Sequence, residues 1–388
     1  MTAALGGLVV PDPRARCGVE QEFAVRDAAG LAVDVRERID GWALGARFDP
    51  GDPHAARGRW GGVVTADGPE AEVVTPPVVV GRGTAAQVHA WAAAGRDALA
   101  GELPPGWTLA GYSTHVSTSV DDDLVVQAAR LVVRRLAPAL MLLLDGPDSP
   151  GLLVRPRPGR LEICGEYAEG RSLRHAAAVA VAASGLAADA VRSRRTRALL
   201  PPPLRVRTQR AVQRYGTYVD RRAFGPDLYA EGRTARLRSR GGTTTAGAHL
   251  ARVVDLLGDR LAELLDADDL AALHAVTAGD LPLPVERDTP ERDDAPRATP
   301  RPMDLRPRAA ARVRVEVVTA TWWTYVVRLD TAHRSRWLTL PGSWIESFLE
   351  ALHAGRLDDV LADLVPAPAG TVTGAAPRST RWAGAAAP

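Results

Sequence analysis

The chain has 388 residues, 46% hydrophobic and 24% charged, enough for one large domain with an appendage or for two domains. It contains no lysine and no asparagine, so its 48 basic residues are all arginine; lysine Schiff bases, lysine nucleophiles and a phosphate-loop lysine are excluded, and any phosphate must be held by arginine, backbone amides or a metal. A net charge of +2 argues against a whole-molecule polyanion binder, and two cysteines without CxxC spacing argue against a zinc cluster or a disulfide scaffold and fit a reducing compartment.

The opening MTAALGGLVVPDPRARC lacks the charged leader and apolar run of a secretory signal, and no stretch reaches the roughly 18 uninterrupted apolar residues of a membrane span. The expectation is a soluble, cytoplasmic protein with no membrane partner. GVEQEFAV alternates as a strand does, and the Gly/Pro/Asp-rich stretch 41–62 reads as loop. EAEVVTPP (70–77) is a second short strand, stopped by its prolines. An Ala-rich helix is predicted over Thr84–Leu99 with Thr84 as its cap, and WTLAGYSTHVSTSV (107–120) alternates again. The acids of DDDL suit the start of a long helix over 121–144 that Pro138 would kink.

GRLEICGEY (159–167) is predicted as another strand, followed by a helix over Ser172–Leu199 that a triple proline closes. Residues 205–245 are arginine-rich, and 246–265 carry helical spacing. The Pro- and charge-rich stretch 281–310 has the composition of a linker that buries little. Beyond it, RVRVEVVTATWWTYVVRL reads as two strands and SWIESFLEAL as a helix, with Trp322, Trp323, Tyr325, Trp337, Trp344 and Phe348 as the core of a small module. The predicted organisation is a main domain over 1–280, a linker over 281–310, a small C-terminal α+β module over 311–365 and a disordered tail over 366–388. The expected class is α+β, with strands lining one shared face.

Acidic and metal-ligating residues recur at period two in these strands: Glu20 and Glu22; Glu70 and Glu72; His115 with Ser117 and Ser119; Glu162, Cys164 and Glu166. Each set therefore points to one side of its strand. Burying so many carboxylates uncompensated would cost roughly several kcal/mol each, and divalent cations are the usual remedy. Oxygen ligands with one imidazole suit Mg²⁺ or Mn²⁺ better than zinc.

These motifs resemble those of the glutamate-cysteine ligase family, carboxylate-amine ligases related in fold to glutamine synthetase. GVEQEF is similar to the family's opening strand, AEVVTPP to its second, STHVSTS to its His-containing strand, RLEIC to its fourth, and QRAVQRYG (209–216) to a later arginine segment. The resemblance implies a mostly antiparallel sheet forming a metal-nucleotide bowl backed by helices. It implies that Glu20, Glu22, Glu72, His115 and Glu162 ligate the ions that hold ATP, with Arg210 and Arg214 at the nucleotide and Arg214 facing a phosphate or a substrate carboxylate. The implied activity is ATP- and Mg²⁺-dependent amide formation between a small-molecule carboxylate and an amine, through an acyl phosphate. One position departs: the family's fourth strand carries an arginine where this chain has Cys164, which removes both charge and fork. Arg160, or an arginine from 205–240, is expected to substitute; otherwise the chain is a catalytically altered nucleotide-binding or regulatory protein. Cys164 reads as a small strand residue, since no histidine adjoins it in sequence.

Between Arg192 and Arg240 fourteen arginines face three acids, with Tyr215, Tyr218 and Tyr229 interleaved. An anionic partner follows: ATP phosphates, an acidic substrate or, as the alternative from another class, RNA. Nucleic acid is not the expected partner.

Overall fold

The computed structural model describes residues 15–47, 54–58, 62–207 and 216–287, and the backbone of three strands between 313 and 341. Two compact units emerge, one within Arg14–Leu44 and Gly58–Arg301, the other within Gly45–Arg57 and Pro302–Pro388.

The first unit is built on an antiparallel sheet. Its strands are β1 (Arg16–Arg26), β2 (Val63–Asp67), β3 (Glu70–Val74), the two-residue β4 (Val78–Val79), β5 (Thr108–Ser119), β6 (Gly151–Arg157), β7 (Arg160–Glu166) and β8 (Thr217–Asp220). Their order is β8-β6-β7-β5-β1-β3-β2, with β4 pairing the start of β1. Alternation divides each strand between two faces. On one face Cys17, Val19, Val116, Leu161, Ile163, Leu152 and Val154 are buried in a continuous apolar core. The other face carries Glu20, Glu22, His115 and Glu162.

Helices cover the apolar face: α1 (Thr84–Glu102), α2 (Asp122–Leu131), α3 (Ala137–Leu144), α4 (Gly170–Arg192), α5 (Arg194–Leu199), α6 (Ala246–Leu264) and α7 (Ala267–Ala278). The Ala-rich α4 packs against α1, α2, α6 and β5, its small side chains allowing close approach from several directions. Every residue of α3 is buried, so APALMLLL forms the centre of the core rather than one stripe of it. Each such Leu contributes roughly 1.5–3 kcal/mol by leaving water. Asp269 of α7 ties this layer together: its carboxylate accepts from Arg174 Nε at 2.6 Å and Nη2 at 3.0 Å, and Arg174 and Asp269 are both buried.

Several local expectations are corrected. The run 121–144 is helical throughout, but Val132–Leu136 forms a π turn that absorbs Pro138 at the start of α3, since proline cannot donate to the ladder. Helix α4 stops at Ser193, whose hydroxyl accepts from Thr196 N and caps α5. Gly83, at φ 76°, occupies the cap position of α1 rather than Thr84, whose hydroxyl is engaged with Gly81 N–H and C=O at 2.8 and 2.7 Å. Strands β2, β6 and β8 appear where none was predicted. Leu283 and Val285, inside the stretch read as linker, are buried against the core.

In the second unit Gly45–Arg47 and Ala56–Gly58 form short strands within the stretch read as loop. Val313–Ala320, Thr324–Thr331 and Ser335–Pro341 form an antiparallel three-stranded sheet, one strand more than expected. The expected helix SWIESFLEAL, the linker beyond 287, the C-terminal tail and the aromatic module core lie outside the residues whose side chains are described.

Candidate metal centre

The acidic face is organised as rungs across the strands, set by register. One rung runs Val74–Glu20–His115–Cys164 across β3, β1, β5 and β7. A neighbouring rung runs Glu72–Glu22–Ser113–Glu166. On the other side comes Gly18–Ser117–Glu162–Arg155, the last residue on β6. Beyond it Ser119 faces Arg160, which faces Arg157. Directly opposed Cβ atoms in such pairs lie about 4.5–5.5 Å apart, so adjacent side chains meet.

His115 is the hub. Its Nδ1 lies 3.5 Å from Glu20 Oε2 and 3.5 Å from Glu162 Oε1, and its Nε2 lies 3.7 Å from Glu22 Oε1. The ligand atoms of Glu20, Glu72 and His115 fall within 4.8 Å of one another, as do those of His115, Glu162 and Cys164. The structure thus brings Glu20, Glu22, Glu72, His115 and Glu162 together from four strands. Arg160 stands one rung away, and its charge acts on Glu20. Arg210 and Arg214 lie outside the described residues. Glu70, grouped with Glu72 in the sequence, instead accepts from the Tyr112 hydroxyl. Glu166 lies at the end of β7, beside a cavity of about 210 Å³ whose lining includes Asp145, Asp148, Glu169, Tyr167 and Arg287.

Electrostatics here are those of crowded carboxylates. Burial, followed by the charges of Glu20 and Glu22, pushes the Glu72 carboxyl up to about 8. Burial also pushes Glu20 up, but the hydrogen bond and charge of His115, with Arg160, outweigh it and hold that carboxyl below its ordinary range. His115 is opposed by burial, yet hydrogen bonds to Cys164 and Glu20 and the surrounding negative charge raise it to about 11. The imidazolium proton therefore serves as the counter-ion of this face. A divalent cation fits the same role: oxygen and nitrogen donors converge, while Glu162 Oε2 and Ser117 Oγ are buried and make no hydrogen bond.

Two participants escaped the sequence reading. Arg155, on the unpredicted β6, places Nη1 3.4 Å from Glu162 Oε1, and β6 pairs the strand that carries Cys164, so a guanidinium stands one rung from that thiol. Arg157 Nε lies 3.3 Å from Glu162 Oε2. The signal was the run GLLVRPRPGRLEI, two strand-like halves joined by Pro158-Gly159, with Gly159 at φ 68°. Cys164, without a histidine near it in sequence, has His115 directly across the strand pair.

No protein-family model matches the sequence, and no curated protein matches it. Among solved structures, the chain is similar to the crystal structure of the complex between prokaryotic ubiquitin-like protein Pup and its ligase PafA, at 14% identity and a TM-score of 0.41. The alignment covers 69% of this chain and 65% of that one, so the chain spans just under two thirds of that neighbour's length.

Of the arginine belt, Arg192 pairs with Asp121 and Asp189, Arg221 and Arg222 with Asp227, and Arg233 with Glu286. Those charges stitch the fold together.

Proposed function

We propose that the acidic face holds divalent metal and ATP, and that the chain is an ATP-dependent carboxylate-amine ligase. The observation that carries this reading is the convergence of Glu20, Glu22, Glu72, His115 and Glu162 on adjoining rungs of one sheet face, with Arg155 on the rung of Glu162 and Arg157 and Arg160 on the next. Carboxylates that repel one another call for cations, and guanidiniums beside them suit the oxygens of a phosphate.

Mg²⁺ or Mn²⁺ with ATP would supply the phosphoryl group that activates a carboxylate as an acyl phosphate for attack by an amine. Glu20, Glu22, Glu72, His115 and Glu162 would hold the metal. Arg155 and Arg160 would orient phosphate oxygens, with Arg155 standing in for the arginine absent at position 164. The cavity at the end of β7, rich in carboxylates, suits a small cationic amine. The name of the acid and of the amine is open to a screen of amino acids and amines.

Mg²⁺-dependent release of ADP should require an acid and an amine together, and should vanish in Glu20→Ala. ATP-independent turnover, or equal Mg-ATP affinity of wild type and Glu20→Ala in calorimetry, defeats the proposal. Arg155→Ala should weaken ATP binding by roughly 10–100-fold, the loss of a charge-assisted hydrogen bond worth about 1.5–3 kcal/mol, while Mn²⁺ affinity changes little. Titration of the nucleotide and of Mn²⁺ alone separates the two effects.

A catalytically altered member is the second reading, and Cys164 is the residue that favours it. ATP binding without ADP release under any acid-amine pair would select it.

A further inference from the structure

Cys164 occupies a position that a space-filling cysteine has no reason to take. The other thiol, Cys17, is fully buried on the apolar face among the core side chains. Cys164 is also buried, at 6% exposure, but it sits on the acidic face, opposite His115 and two residues from Glu162. Sulfur, imidazole nitrogen and carboxylate oxygen lie within 4.8 Å of one another. A tetrahedral ion bound at about 2.3 Å from sulfur and about 2.0–2.2 Å from nitrogen and oxygen holds such atoms roughly 3.4–3.6 Å apart, inside that bound.

A second observation points to a ligand at the same place. Ser117 is 1% exposed and its hydroxyl makes no hydrogen bond; it lies on the same face, directly across from Glu162. Glu162 is equally buried, and its Oε2 accepts no hydrogen bond, although Arg157 Nε approaches to 3.3 Å. Buried polar atoms normally find partners, and two orphans on one rung beside a His/Cys pair mark a missing one.

The donor set decides the kind of ion. Mg²⁺ takes hard oxygen ligands and avoids sulfur, whereas a thiolate with imidazole and carboxylate suits borderline-soft ions. We infer that His115, Glu162 and Cys164 form a zinc-class centre of three protein ligands with an open fourth position, beside the carboxylates of Glu20, Glu22 and Glu72. On binding, the His115 imidazolium and the Cys164 thiol each release a proton to solvent, and the neutral ring nitrogen and the thiolate become the ligands. Three protein ligands with one open position is the arrangement of a zinc site that receives a water or a substrate oxygen. The inference rests on the reading of this face as a cation site and refines it: His115 and Glu162 go to the zinc-class ion, Glu20, Glu22 and Glu72 are left to the ions of the nucleotide, and the centre itself does not depend on ATP.

Cobalt(II) reports the sulfur ligand directly. Titrated into the full chain, Co²⁺ should give an intense near-ultraviolet sulfur-to-cobalt band that Zn²⁺ bleaches and that Cys164→Ser lacks. Chelator competition should show Zn²⁺ affinity falling at least about 10-fold in Cys164→Ser. Cobalt binding without the band, a band that survives in Cys164→Ser, or no cobalt binding at all overturns the assignment. Should Cys164→Ser fail to fold, alkylation of wild type decides instead: Zn²⁺ must protect Cys164 from modification, and unchanged labelling refutes the site. Mg-ATP calorimetry on wild type keeps the two readings apart. Nucleotide binding without the sulfur band rejects this centre alone, and the band without nucleotide binding rejects only the ligase.

Discussion

In the absence of divalent cations, Glu72→Gln should melt about 2–8 °C above wild type, while its stabilisation by Mg²⁺ or Mn²⁺ falls to near zero. Glu72 has no arginine among the groups that dominate its environment; burial and the charges of Glu20 and Glu22 all act against its ionised form. At neutral pH a carboxyl raised to about 8 must hold a proton that the unfolded chain releases; the isosteric amide removes that cost, worth about 1–2 kcal/mol, and for a unit of this size each kcal/mol shifts the midpoint by roughly 2–4 °C. The same change removes a proposed metal ligand, so Mg-ATP affinity should drop by at least about 10-fold. Scanning calorimetry with and without metal measures both halves. A variant that melts lower than wild type, or that keeps a full metal-induced shift, contradicts the picture of a repulsive face that cations relieve.

Asp269→Ala should destabilise the first unit by about 3–5 kcal/mol, because it leaves the buried Arg174 guanidinium without its forked carboxylate. Arg174 is anchored on α4 and Asp269 at the start of α7, where Asp266 Oδ1 caps the helix by accepting from Asp269 N at 2.8 Å. Losing the carboxylate therefore loosens one helix from another and takes away the acceptor that Arg174 and Arg171 share. Chemical denaturation gives the number. Replacing both partners by apolar residues, Arg174→Met with Asp269→Leu, should recover most of the loss, since two apolar groups need no solvation. Equal damage in the single and double variants would show that the site cannot accommodate apolar packing and that the charge pair is not the source.

The convergence of the five proposed ligands was legible because period two is a strict rule in strands: Glu20, Glu22, Glu72, His115 and Glu162 each lie in a segment whose alternate residues are apolar, so the polar set had to share a side. What joins those sides into one site is register, which a single chain does not display. Arg155 was hidden for that reason and for a second one: its strand contains Pro156 and two arginines, a composition that reads as loop. Strand β2 was hidden inside a glycine-rich stretch, although Asp67-Gly68 with Gly68 at φ 59° is a strong hairpin signal. The fate of Glu70 followed from Tyr112, which lies at the register shift where Glu22 pairs Ser113 and Phe23 pairs Gly111. A bulge moves one residue out of alternation, and spacing alone cannot place it. The longer helices over the apolar face were readable because hydrophobic periodicity survives such local irregularities, whereas the breaks at Val132–Leu136 and Ser193 and the helix Ala267–Ala278 were not.

Asp122 Oδ1, at the first turn of α2, holds Gly159 N–H at 2.5 Å. Gly159 is the tip of the hairpin whose two arms carry Arg155, Arg157, Arg160 and Glu162, so that tip is moored to the layer beneath. The mooring makes the arm a fixed jaw rather than a swinging one. Damage to the start of α2 should register as misaligned guanidiniums some distance away.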